Sequence, residues 1–136
     1  MINGVITQKL QALEKSLAEL KSIGKVTTAQ LNGDWRTFRA IERDLQVLVE
    51  VVIDVCQRLI ALAGLTPATT GRLAVERCVE LGVLADADTY GQMVQFRNFI
   101  VHHYERVDVA ILVNMVNNQL GDFERFREEV LRYANR

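Results

Sequence analysis

A short apolar stretch near residue 100 carries five polar side chains: Arg97, Asn98, His102, His103 and Tyr104. His102 and His103 are the only histidines in the chain. Imidazole is the side chain best suited to moving a proton near neutral pH. Arginine is always charged, and its planar fork suits ion pairs and phosphate recognition. If the chain performs chemistry, these residues are where it sits.

Their spacing sets a geometric condition. On a helix that turns about 100° per residue, Asn98 and His102 share one face and Arg97 and Tyr104 another, while Arg97 and His102 stand roughly 140° apart. One straight helix therefore does not bring guanidinium and imidazole together easily. Either the helix distorts near His102, or the groups converge with those of a second copy across a two-fold axis, giving a dimer with two arginines and two histidines in one cleft. Adjacent histidines point in different directions, and the chain contains neither HxxxH nor HExxH, so no metal site is expected. The residue types alone leave a structural use open, with Arg97 ion-paired or solvated and the histidines and Tyr104 capping a helix end.

The elements that would position this segment follow from periodicity. Ile6, Leu10, Leu13, Leu17, Leu20 and Ile23 recur every three or four residues and predict an amphipathic helix over 5–23, ended by Gly24. Residues 27–32 read as a connector or one extra turn before Asp34, a candidate N-cap. Residues 35–63 contain neither Gly nor Pro and hold the helical period throughout. The β-branched run 47–55 resembles a strand locally, but Glu50 and Asp54 are four apart and so share a helix face. Pro67 and Thr69-Thr70-Gly71 predict a loop, and Leu73 to Leu81 a short helix closed by Gly82. Asp86 or Asp88 caps the helix leading to His102, and a last helix runs from about Asp108. The expectation is an all-α, five-helix, up-and-down bundle forming one domain over residues 1–136.

Composition agrees with that class. The chain has 136 residues, 49% of them hydrophobic and 24% charged, enough for one core without staples or cofactor. With a net charge of −1 there is no global positive field, so any nucleic-acid binding needs a local patch. The lysines, Lys9, Lys15, Lys21 and Lys25, all precede residue 26, and all twelve arginines follow residue 35. Cys56 and Cys78 lie in apolar helical patterns without CxxC spacing and are expected to be buried thiols. The start of the chain lacks the pattern of a signal peptide, and Glu50 and Asp54 interrupt the longest apolar stretches, so no membrane span and a cytoplasmic setting are expected.

The string Arg97-Asn98, three apolar residues, His102-His103-Tyr104 resembles the R-N-x-x-x-H-x-Y signature of the HepT-like toxin family within the HEPN superfamily. Ala40-Ile41-Glu42-Arg43, Leu45-Gln46, Asp54, Glu80-Leu81-Gly82-Val83-Leu84 and Val107-Asp108 agree, so the likeness spans nearly the whole chain. It implies a metal-independent endoribonuclease toxin that acts on RNA as a homodimer and is held in check by a minimal nucleotidyltransferase, MntA-like. His102 would be the general base or acid, Arg97 the cation for the phosphorane, and Asn98 would orient the imidazole or the phosphate. Tyr104 would accept AMP units from the transferase, and the added phosphates would occupy Arg97 and repel RNA. A different class stays open beside it: a non-catalytic helical subunit that binds nucleotide or stabilises a nucleotidyltransferase, or a plain structural adaptor.

Overall fold

The computed structural model describes residues 3–102 and 108–136, with side chains described through Arg97 and again from Asp108. Seven helices appear among the described residues: α1 (Gly4–Ile23), α2 (Thr28–Gly33), α3 (Trp35–Leu62), α4 (Gly71–Glu80), α5 (Ala87–His102), α6 (Val109–Asn118) and α7 (Leu120–Ala134). The all-helical expectation holds, and the count of five is corrected to seven.

Both extra helices have local causes. Thr28–Gly33 forms a helix of its own because its N-cap Thr27 and Gln30 make a reciprocal capping box: the Thr27 hydroxyl accepts from the Gln30 N–H, and the Gln30 amide oxygen accepts from the Thr27 N–H. The segment expected as one last helix breaks at Gln119, where φ is −120° and ψ 0°. The break lets the halves pack on different neighbours: α6 lies against α2 and α3, and α7 against α1 and α5.

The long helix α3 is the spine. Asp34 caps it by accepting from the Thr37 N–H at 3.2 Å, and its β-branched middle is helical, with Val51, Val52 and Val55 buried. Helices α1, α2, α4, α5 and α6 all pack on it. Burial of Ile41, Leu45 and Leu48 against Leu13 and Leu20 forms one contiguous core, each such side chain contributing about 1.5–3 kcal/mol relative to exposure. Cys56 and Cys78 are buried free thiols, and the Cys78 Sγ lies 3.5 Å from the Cys56 carbonyl.

The setting of α5 matters most for the candidate site. Asp86 starts the helix by accepting from the N–H groups of Asp88 and Thr89, which decides between the two expected caps. Further along, the wholly buried Tyr90 donates its hydroxyl to Glu129 Oε2 on α7. The other Glu129 oxygen accepts from the Ala85 N–H at 2.8 Å, and Arg125 Nε donates to the Tyr90 oxygen at 3.1 Å. Burial pushes the Tyr90 hydroxyl well above its ordinary value, which keeps it a donor. About 100° further round the helix, Arg72 of α4 lies so close to Gly91 that a Cβ there would stand 2.5 Å from a guanidinium nitrogen. Helix α5 is thus clamped between α4 and α7.

Removing the hydroxyl with Tyr90→Phe takes the hydrogen-bond donor from Glu129 Oε2 and leaves it only the longer ion pair to Arg125 Nε at 3.8 Å. We expect urea unfolding to give a loss of about 1–3 kcal/mol with an unchanged denaturant dependence. A loss below about 0.5 kcal/mol would mean that the network does not hold α5.

Candidate active site

Arg97 lies in the last third of α5, after the buried run Met93, Val94 and Phe96 has anchored the helix to the core. Its side chain emerges half-exposed, and its Nε stands 3.2 Å from Glu50 Oε1 on α3. With side-chain exposures of 43% and 37%, this pair is open to water and adds little to stability, about 0–1 kcal/mol. Its consequence is directional. Glu50 approaches the Nε edge of the guanidinium, and a planar guanidinium held at that edge can present its terminal nitrogens to an anion in a fixed plane.

Glu50 is a residue that sequence reasoning missed in this role. It registered as an interruption of an apolar run and as a helix-face marker, and nothing in local spacing pointed to a partner 47 residues further on. The available signal was a lone carboxylate at the midpoint of the most apolar stretch of α3.

Asn98 and His102 belong to α5 as well, and the helix is unbroken from Ala87 through His102. Five residues of helical rotation therefore separate Arg97 from His102, roughly 140° about the axis. Distortion of the helix before His102 is not what the backbone adopts. The side chains of Asn98 and His102 lie outside the described residues, as do His103 and Tyr104 entirely. Among the described residues no group of three or more His, Cys, Asp or Glu side chains is placed to hold a metal ion, and no helix is long and apolar enough to cross a membrane.

The family described as ribonuclease HepT-like matches residues 13–130. An mRNA nuclease HepT from Shewanella oneidensis is 22% identical over 127 residues, covering 92% of this chain and 95% of that protein. Among solved structures, a tri-AMPylated HEPN toxin of Shewanella oneidensis in complex with an MNT antitoxin aligns with a TM-score of 0.85 at 21% identity, covering 96% of this chain and 99% of that one. A toxin–antitoxin complex with AMP-PNP aligns with a TM-score of 0.84, also at 21% identity and with the same coverage. At these identities the structural likeness fixes the fold, which is that of the HEPN toxins.

Replacing the carboxylate that orients Arg97 should separate stability from activity. Glu50→Gln is expected to change the unfolding free energy by less than about 1 kcal/mol, while the turnover of any reaction that uses Arg97 falls about tenfold. Equal turnover in a stably folded variant would remove Glu50 from the site.

Proposed function

This chain belongs to the ribonuclease HepT-like family, and from that premise we propose that it is the toxin of a toxin–antitoxin pair, an endoribonuclease that cleaves RNA without a metal ion. The observation that carries this is the half-exposed Arg97, held at one edge by Glu50, on a helix that continues unbroken to His102. RNA supplies its own nucleophile, so the protein has only to move protons and neutralise charge. The 2′-oxygen attacks the adjacent phosphorus as His102 takes its proton. The bond from phosphorus to the 5′-oxygen then breaks, and the imidazolium returns a proton to that leaving oxygen. One product ends in a 2′,3′-cyclic phosphate and the other in a 5′-hydroxyl. Arg97 holds the non-bridging oxygens, whose negative charge grows in the phosphorane, and Asn98 orients the imidazole or the phosphate.

The helical register supports a homodimer as the working unit. With Arg97 and His102 turned roughly 140° apart on one unbroken helix, a cleft between two copies brings the arginine of one toward the histidine of the other. In this reading a minimal nucleotidyltransferase, MntA-like, is the antitoxin, and it transfers AMP units from ATP to Tyr104, the phenol oxygen displacing pyrophosphate and giving up its proton. The added phosphates would pair with Arg97 and repel the RNA backbone, closing the site by local electrostatics. A cytoplasmic setting, where RNA and both proteins meet, completes the proposal.

The test is cleavage of single-stranded RNA by the purified chain in EDTA, with the 3′ ends identified and the protein masses recorded after co-expression with the transferase. Wild type is expected to cleave and to leave cyclic phosphates. Arg97→Ala and His102→Ala should each slow cleavage at least about a hundredfold, and Tyr104→Phe should cleave but gain no AMP. Intact RNA with wild type, or undiminished cleavage by both alanine variants, would overturn the assignment. AMP units on Tyr104→Phe would move the acceptor elsewhere.

A further inference from the structure

The face of α3 that carries Glu50 also carries Arg36, Arg39 and Arg43, all exposed. Arg36, Arg43 and Glu50 are seven residues apart in turn. Seven residues are nearly two full turns, so the three lie along one line at steps of about 10 Å, and Arg39 falls within about 60° of it. Arg39 pairs with Glu42 at 2.8 Å, whereas Arg36 and Arg43 form no salt bridge with a described residue. At the head of the line stands Trp35, at 69% exposure the most exposed of the large hydrophobic side chains among the described residues. The Arg36 guanidinium carbon lies 5.4 Å from the centre of its ring system. Leaving a side chain of this size in water forgoes about 1.5–3 kcal/mol of burial, and no core contact accounts for its position.

We propose that this face is a track for single-stranded RNA. Arg36, Arg39 and Arg43 hold successive backbone phosphates, a base stacks on Trp35, and the line ends at Glu50, which holds Arg97 for the scissile phosphate. The inference rests on reading the chain as a ribonuclease and adds where its substrate lies outside the reacting bond. From Arg36 to Glu50 the line is about 21 Å long, the length of about six stacked nucleotides. A single strand offers phosphates at regular intervals together with unpaired base faces, and an aromatic set among arginines answers both. The chain's net charge of −1 makes such a local patch necessary for binding a polyanion. Carboxylates on a protein surface would answer the arginines alone, whereas a single strand brings the phosphates and the base faces together.

The test is a fluorescence anisotropy titration of the full chain with a labelled 2′-O-methyl RNA of about twelve nucleotides, across a salt series. The 2′-O-methyl group removes the nucleophile, so binding is read without cleavage. The double variant Arg36→Ala/Arg43→Ala should weaken binding about tenfold or more and reduce the salt slope by about 1.4, about 0.7 for each lost phosphate contact. Trp35→Ala should weaken binding about tenfold at an unchanged salt slope. Arg132→Ala, an exposed arginine on α7, should bind as wild type does. With cleavable RNA, the α3 variants should raise KM and leave kcat nearly unchanged. Wild-type affinity in both α3 variants would overturn the track. So would wild-type RNA affinity combined with loss of co-purification with the nucleotidyltransferase, which would make this face a protein-docking surface. Binding that depends on the α3 face with no cleavage of ordinary RNA would sustain the track and defeat the ribonuclease reading instead.

Discussion

Glu129 is a carboxylic acid buried to 8% exposure, and the way its two oxygens are satisfied decides where α5 lies. One oxygen accepts from the Tyr90 hydroxyl and the other from the Ala85 N–H, the residue just before the Asp86 cap. A buried polar group without partners costs several kcal/mol, so the chain cannot slide or rotate α5 without breaking this arrangement. The clamp acts at the start of the helix, and its effect is felt at the end. Once Tyr90 is fixed, the helical period dictates that Arg97 emerges beside Glu50 and that His102 follows roughly 140° around the axis.

Helix α3 supplies Glu50, the partner of Arg97, from its exposed face, while its inner face supplies much of the core. Those duties do not compete, because a 28-residue helix has room for a buried stripe and a charged line on opposite sides. The exposed pair of Arg97 and Glu50 adds little to the fold's stability and much to the direction in which a cation points. A cation fixed before the reaction pays no reorganisation as charge develops on phosphate, and this is the property a metal-free phosphoryl transfer needs.

Much of this was legible in the residues. Three- and four-residue spacing marked α1, α3, α4 and α5 to within a few residues, because apolar residues recur at helical intervals where these helices pack on a single core. The break at Gln119 was not legible, since the apolar positions of α6 and α7 continue in phase and only their separate neighbours require the interruption. The α2 helix was half visible: Thr27 and Gln30 stand at capping-box spacing, but six residues are too few for a periodic pattern. Arg97 could be singled out as a cation in an apolar helix. Glu50 and the joining of Tyr90 to Glu129 could not, because contacts between residues tens of positions apart leave no mark on local spacing.

The central claim is that Arg97 of one copy works with His102 of another, and mixed dimers test it most directly. Arg97→Ala and His102→Ala chains carrying different tags are co-expressed, the mixed dimer is isolated through both tags, and RNA cleavage is measured beside each parent. A cleft shared between copies leaves one intact pairing in the mixed dimer, so cleavage should return to about half the wild-type rate. Cleavage as low as in the two inactive parents would contradict the shared cleft and place Arg97 and His102 of one chain in the same site.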